Sequence, residues 1–266
     1  MKFHILIQAR LSSTRLPGKV LYNLGDTGLC SLQLMKYRLS LNENLSKCCE
    51  IVILTTHDKC DDAIVDLCIR EGLQCFRGDK DDVLSRYHDA AKSLNANTII
   101  RLTSDCPLID PWEIERVLNL HLENKSDYTA NTFEGSTLTD GFDVEIFQIN
   151  SLIESHHKAK LPSEREHVTF YMQKKENNFK ILLTDPQSDL PYLRLTLDTP
   201  ADLEAIHRLI TQFPEIVDKP MSIITELFYN NKIHLSNSSV QKGEGWNDSF
   251  IRDKNTLINN KHLRKS

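Results

Sequence analysis

A short stretch near the N-terminus combines cations, hydroxyls and a proline–glycine pair in one predicted loop. The stretch reads IQARLSSTRLPGKVL and spans residues 7–21. It contains three cations and three hydroxyl residues: Arg10, Arg15, Lys19, Ser12, Ser13 and Thr14. Guanidinium and ammonium groups bind phosphate oxygens, and hydroxyl and backbone N–H groups complete such anion sites. The loop therefore indicates a site for a small phosphate-bearing ligand, with a basic surface loop as the alternative.

The loop does not match the glycine-rich phosphate-binding motifs. A Walker P-loop needs glycine at position 13 and serine or threonine at position 20, where the chain has Ser13 and Val20. The Rossmann pattern GxGxxG is also absent from this stretch of the sequence. Phosphate binding at this loop would therefore depend on its cationic side chains.

Two aspartates follow predicted strands in distant parts of the chain. Asp105 follows the apolar segment 98–103, and Asp198 ends the segment 193–198. Ligands of doubly wound sheets bind beyond the carboxyl ends of the strands. Mg²⁺ takes one or two carboxylates together with phosphate oxygens and waters. Both residues are thus candidate magnesium ligands, and a role in turns is the alternative.

The elements that must position these residues alternate along the chain. Apolar runs at 3–8 and 50–56 are typical of parallel strands that are covered on both faces. Further strands are predicted at 98–103, 127–131, 142–147, 180–184 and 193–198. Helices are predicted at 29–41, 61–71, 81–94, from Pro111, and at 148–158, 163–175, 200–211 and 220–230. This order predicts an α/β fold with a doubly wound, mostly parallel sheet and helices on both faces.

Composition and charge limit the domain organisation of the chain and the partners that it can bind. We predict one domain over residues 1–234, with a less regular part at about 127–185, and an extended polar tail over 235–266. The net charge of −5 disfavours nucleic-acid binding. No apolar run approaches the roughly 20 residues of a membrane span. The seven cysteines, an odd number without a CxxC pair, indicate reduced thiols and a cytoplasmic location.

Several segments together resemble the sugar-acid cytidylyltransferases, also called CMP-sugar synthetases, and most closely their spore-coat-polysaccharide branch. The opening loop is the first of them. The others are RGDKDDVLSRY (77–87), IIRLTSDCPLIDP (99–111), DGFDVEIF (140–147), SEREHVTFYM (163–172) and LRLTLDTPADLEAI (193–206). GEGWNDSF (243–250) also resembles the tail of such proteins. The resemblance covers roughly residues 3–250, and six segments in register make it specific.

The resemblance implies a nucleotidyltransferase fold of the glycosyltransferase-A-like type. It implies an enzyme that activates a sugar acid with CTP, giving a CMP-sugar and pyrophosphate, for surface polysaccharide or glycoconjugate synthesis. It further implies Mg²⁺ as cofactor and a homodimer, with about 127–185 as the acceptor-binding and possible dimerisation region. The catalytic residues it implies are Arg15, Lys19, Asp105 and Asp198, the two aspartates being the metal ligands. Nucleotide-binding residues would be Ala9, Arg10, Ser12, Arg15, Lys19, Gly78, Arg86, Thr103 and Ser104. Substrate-binding residues would be Asp140, Asp143, Glu145, Arg165, Glu166 and His167.

Other interpretations remain open from the sequence. Asp79-Lys80-Asp81 matches the DxD pattern of glycosyltransferases, although acids before a helix also favour its N-terminal dipole. Ser104 stands where relatives often have glycine, which leaves another nucleotide as an alternative. An inactive nucleotide-binding scaffold is a further alternative. His167 is a candidate general base, with a structural hydrogen-bonding role as its alternative.

Overall fold

A seven-stranded, mostly parallel sheet forms the centre of the protein. The structure is a computed structural model that describes residues 2–133, 136–185, 190, 193–231, 233, 235, 237 and 246–263. The strands are Phe3–Gln8 (β1), Cys49–Thr56 (β2), Gln74–Gly78 (β3), Thr98–Thr103 (β4), Tyr128–Ala130 (β5), Glu145–Gln148 (β6) and Ile181–Leu183 (β7). Their order is β3-β2-β1-β4-β6-β5-β7. Strand β6 runs antiparallel to β4 and β5, and every other pairing is parallel.

Helices cover both faces of this sheet, as the sequence predicts. They are Ser31–Ser40 (α1), Glu43–Cys48 (α2), Asp62–Glu71 (α3), Val83–Ser93 (α4), Pro111–Asn124 (α5), Ile149–Lys158 (α6), Pro162–Glu166 (α7), Pro200–Gln212 (α8), Met221–Asn231 (α9) and Asn247–Leu263 (α10). Successive strand residues point to opposite faces, so Ile5 and Ile7 join the core under α1, α3 and α5. Leu6 joins the core under α4 and α6. The predicted α/β fold with a doubly wound sheet is therefore confirmed.

A third core lies beside the sheet, and it corrects one predicted strand. Residues 193–198 were predicted as a strand, but the structure gives this segment a single bridge, between Arg194 and Asp140. Its backbone bonds instead to loops, since Leu197 N donates to Asp105 O at 2.7 Å. Its leucines pack with α8 and α9, and that packing satisfies the apolar alternation without a sheet.

Two other elements differ from the predictions. Strand β3 was not predicted, because its five residues (QCFRG) are half-buried or exposed and lack apolar alternation. The helix predicted at 163–175 is reduced to α7, which ends at Glu166. Val168, two residues later, adopts a positive φ of 63°, which a helix cannot include. The chain beyond α7 therefore runs irregularly along the sheet edge.

The predicted extended tail is wrong over its second half. Residues 247–263 form helix α10, which docks on α7 through Asp253 and Ser163. The sequence did not reveal this helix because polar residues dominate it and its docking face is narrow. Residues 236, 238–245 and 264–266 of the predicted tail lie outside the described part of the chain. Among the described residues, no helix has the length and apolar character that crossing a bilayer requires.

Candidate active site

Lys19 joins the two aspartates that the sequence singled out. Its Nζ donates to Asp105 Oδ2 at 2.9 Å and to Asp198 Oδ1 at 2.6 Å. Arg15 Nη2 lies 3.3 Å from Asp198 Oδ2. Residues separated by 86 and 179 positions in the chain therefore meet around one ammonium group.

Local backbone geometry places each of the three groups. Gly18 adopts φ of 72° and begins the 3-10 turn Lys19–Leu21, which directs Lys19 from the loop after β1. Asp105 follows the end of β4 by two residues. Asp198 directly precedes Thr199, whose hydroxyl caps α8 by accepting from Asp202 N at 3.2 Å. Two strand ends and one helix start thus form the site.

The charges of this cluster are held in their ionised forms. Burial alone would lower the pKa of Lys19, but Asp105 and Asp198 outweigh it and hold that pKa above its ordinary value. Burial likewise opposes ionisation of Asp105, and the neighbouring Lys19 and Thr103 hold its pKa below the ordinary range. Lys19 and Asp105 therefore stabilise each other's charged forms.

Arg194 connects Asp198 to a buried acidic network. Its Nη2 donates to Asp198 Oδ2 at 2.8 Å, its Nε donates to Asp202 Oδ1 at 3.1 Å, and its Nη1 contacts Asp140. Asn237 Nδ2 donates to Asp202 Oδ1 at 2.7 Å. Because Arg194 and Asp202 are both buried, these bonds fix the orientation of Asp198.

Two further cations lie beside this cluster and approach each other. Arg86 is buried and its guanidinium bonds only to backbone carbonyls, of Leu54 at 3.4 Å and Lys80 at 3.3 Å, within the described part of the chain. Burial, with Arg10 as a neighbouring cation, lowers the pKa of Arg86. Neither arginine forms a salt bridge among the described residues, although Asp61 and Asp79 act on Arg86 from a longer distance, and two neighbouring cations of this kind suit a bound anion.

Gly78 acts through Arg86. A Cβ at Gly78 would lie 2.8 Å from Arg86 Cγ, so only glycine lets the arginine pack against the end of β3. Gly78 is not among the described residues that line the cleft. Gly78 therefore packs behind Arg86 and does not itself line the predicted nucleotide site.

The part of the cleft around Glu145, a predicted substrate-binding residue, has a buried polar floor. Glu145 Oε1 accepts from Tyr128 OH and from Thr169 Oγ1, both at 2.6 Å, and the other carboxylate oxygen contacts Arg101. Gln173 Nε2 donates to Tyr128 OH at 3.1 Å. Each of these side chains has a hydrogen-bond partner within the floor, which restrains its orientation.

The predicted acceptor residues of α7 separate into two groups. Glu166 and His167 line the cleft and contact α10, the former through Arg252 and the latter through Ser249 Oγ at 2.9 Å. Burial, together with the cations Arg101 and Arg252, lowers the pKa of His167 to about 4. A neutral, hydrogen-bonded imidazole fits the structural role better than that of a general base. Arg165 instead pairs with Asp82 at the start of α4.

The cleft that unites both sides has a volume of about 1460 Å³. The sequence-predicted residues that line it are Ala9, Arg10, Arg15, Lys19, Arg86, Thr103, Ser104, Asp105, Asp140, Asp143, Glu145, Glu166, His167 and Asp198. Among the described residues, Ser12, Gly78 and Arg165 are not part of this lining. Ser13 and Thr14 line the cleft, whereas the hydroxyl of Ser12 is buried.

Comparison with known proteins decides the family. The cytidylyltransferase family matches residues 4–238. The chain belongs to the cytidylyltransferase family. It is 33% identical over 230 residues to the spore coat polysaccharide biosynthesis protein SpsF of Bacillus subtilis, covering 85% of this chain and 93% of the relative. It is 30% identical over 184 residues to an 8-amino-3,8-dideoxy-manno-octulosonate cytidylyltransferase of Shewanella frigidimarina, covering 65% of each chain.

A solved cytidylyltransferase from Leptospira borgpetersenii has the same fold. The two structures align with a TM-score of 0.82 and 35% identity, over 90% of this chain and 99% of that one. The resemblance found in the sequence is thereby confirmed, and so is the nucleotidyltransferase-type sheet. The protein is a CTP-dependent nucleotidyltransferase.

The DxD tripeptide has a local role in this cytidylyltransferase. Asp79 Oδ1 accepts from the backbone N of Asp81 and of Asp82, both at 2.8 Å, which shapes the turn before α4. Neither Asp79 nor Asp81 is among the described residues that line the cleft. The glycosyltransferase alternative therefore loses the feature that motivated it.

Two arginines of the cytidylyltransferase site were not identified from the sequence. Arg101 and Arg194 are buried cations that bind carboxylates of the cleft. Each interrupts an apolar run, TIIRLT and LRLTLD, with a single charge. A lone cation inside an apolar run requires a buried partner, and this signal could have indicated both residues.

Proposed function

We propose that this cytidylyltransferase transfers the cytidylyl group of CTP to a sugar acid and releases pyrophosphate, in the synthesis of a surface polysaccharide or glycoconjugate. The observation that carries the proposal is Lys19 between Asp105 and Asp198, in one cleft with Arg10 and Arg86. The names of the relatives from Bacillus and Shewanella, a spore-coat-polysaccharide protein and an octulosonate cytidylyltransferase, support this substrate class.

The chain's own residues provide binding and charge stabilisation for this reaction. A hydroxyl of the acceptor forms the new bond to the α-phosphorus of CTP and releases its proton to solvent, and the bond to the pyrophosphate oxygen breaks. Arg10 and Arg86 would bind the phosphates, since neither forms a salt bridge among the described residues and the guanidinium of Arg86 bonds there to backbone carbonyls. Arg15 and Lys19 would stabilise the negative charge that grows on the leaving pyrophosphate.

Asp105 and Asp198 would hold Mg²⁺ in this proposal. Both carboxylates already reach one cationic atom, Lys19 Nζ, so they can reach one metal ion, and carboxylates suit Mg²⁺ as ligands. The described residues contain no cluster of three or more acidic, histidine or cysteine side chains for a metal. The remaining ligands would therefore come from phosphate oxygens and water. When bound, Mg²⁺ would neutralise phosphate charge and polarise the α-phosphoryl group.

A pyrophosphate-release screen tests this function. The purified protein is mixed with each of the four nucleoside triphosphates, a panel of sugar acids, and Mg²⁺ or a chelator. We expect pyrophosphate with CTP, with at least one sugar acid, and only when Mg²⁺ is present. Release with neutral sugars but with no sugar acid would contradict the proposal. The homodimer stays a prediction, which light scattering of the same preparation checks.

A further inference from the structure

The start of the C-terminal helix forms part of the cleft. The residues that it contributes to the lining are Trp246, Asp248, Phe250, Arg252 and Asp253. The strand-end residues around Lys19 form one part of the cleft, and α7 with α10 forms another. The second part is thus built from segments distant in sequence, as the first is.

Buried polar contacts fix α10 in this position. Asp253 accepts from Ser163 N at 2.9 Å and from Ser163 Oγ at 2.6 Å. Ser249 is fully buried and bonds to His167 Nε2 at 2.9 Å, and its Oγ also donates to Trp246 O at 2.8 Å. Detaching α10 would break these buried hydrogen bonds, which costs free energy. The bonds therefore hold α10 in this position.

Four rings form an aromatic wall on this part of the cleft: His167, Phe170, Trp246 and Phe250. Phe170 stacks on Phe250 with centroids 5.8 Å apart, and it meets Trp246 edge-on at 5.4 Å. His167 lies 4.6 Å from Phe170. The wall is therefore one continuous apolar surface contributed by two segments of the chain.

The aromatic wall is exposed although its position is fixed. Trp246 is 39% exposed and Phe250 is 42% exposed, and both line the cleft. The cation beside them, Arg252, already pairs with Glu166. Ordered aromatic surface inside a cleft suits an apolar group of a bound ligand.

We propose that the aromatic wall is the subsite for an apolar substituent of the acceptor, such as the methyl of an N-acyl group. The inference rests on the proposed function, because the acceptor is what occupies this part of the cleft. The polar floor around Glu145 suits hydroxyl groups, whereas the wall offers no matching hydrogen bonds on its ring faces. An acceptor that carries both kinds of group matches both surfaces.

Trp246 offers a direct readout of this subsite. The chain has two tryptophans, so Trp112→Phe leaves Trp246 as the single fluorophore. That variant is titrated in the presence of CTP and a chelator, which prevents turnover, with N-acetylneuraminate or with 3-deoxy-manno-octulosonate. Both probes are sugar acids, and only the first carries an N-acetyl methyl. We expect N-acetylneuraminate to change the Trp246 emission and to bind about tenfold more tightly.

Matched variants on α10 assign the effect to the wall. Phe250→Ala should remove the tenfold preference, and Trp246→Ala, measured by calorimetry, should remove it as well. Ile258→Ala should retain it, because Ile258 is 51% exposed on the same helix and is not among the lining residues. Equal or tighter binding of the octulosonate, an unchanged emission, or a preference that survives in Phe250→Ala would overturn the inference.

Calorimetry with CTP separates this inference from the proposed function. If wild-type protein binds CTP but shows no preference between the probes, the inference fails and the proposed function stands. If the protein does not bind CTP, the proposed function fails, and this inference fails with it.

Discussion

The two parts of the cleft differ in the side chains that form them and in the ligand groups that those side chains can bind. Around Lys19, formal charges meet at the ends of regular elements, and each carboxylate has a cation within hydrogen-bond distance. Around the aromatic wall, the irregular segment after α7 and the segment at the start of α10 supply rings and a neutral histidine. The first part can compensate the charge of a triphosphate, while the second can distinguish acceptors by shape and polarity. In the proposed function, chemistry and acceptor specificity would thus depend on separate segments of the chain.

The largest expected effect comes from removing the cation at the centre of the charged part. Lys19→Ala should slow pyrophosphate release about 100- to 1000-fold, equivalent to about 2.7–4 kcal/mol of transition-state stabilisation, because a charge-stabilising contact is lost. The steady-state rate of pyrophosphate release with CTP measures it. Lys158→Ala is the matched control, since this exposed lysine pairs only with Glu154 on a surface helix. A rate within threefold of wild type would show that Lys19 is structural.

The same contrast explains which parts of the site and of the fold could be predicted from the sequence alone. Asp105 and Asp198 could be singled out because each lies at the end of an apolar strand-like run, and Lys19 because it belongs to the cationic loop after such a run. Helix α10 could not be predicted, because its docking depends on Ser163 and Asp253, which are ordinary surface residues in a sequence. The failed strand at 193–198 has the correct burial pattern, but its hydrogen-bond partners are loops that no local pattern specifies.

The next effect concerns stability at the aromatic wall and depends on pH. The pKa of His167 is lowered to about 4, whereas a histidine in an unfolded chain titrates near about 6.5. As the pH falls, the unfolded state therefore takes up a proton on His167 before the folded state does. The contribution of the neutral His167 to the free energy of unfolding is complete above pH 6.5 and is lost as the pH falls to 4. We expect wild type to lose about 3 kcal/mol over this range relative to His167→Gln, measured by urea unfolding. Parallel pH profiles of the two proteins would mean that His167 is not held neutral.

The smallest expected effect tests whether Gly78 supports the position of Arg86 in the charged part of the cleft. In Gly78→Ala, the new Cβ would meet Arg86 Cγ at 2.8 Å and displace the guanidinium without touching the ligand. We expect CTP to bind about tenfold more weakly, or about 1.4 kcal/mol, by calorimetry in the presence of a chelator. Arg86→Gln should reproduce this loss. If glycine acts through the arginine, the double variant loses no more than Arg86→Gln alone, because both changes remove one interaction. Additive losses would instead place Gly78 in direct contact with the nucleotide, and the nucleotide site would then extend to the end of β3.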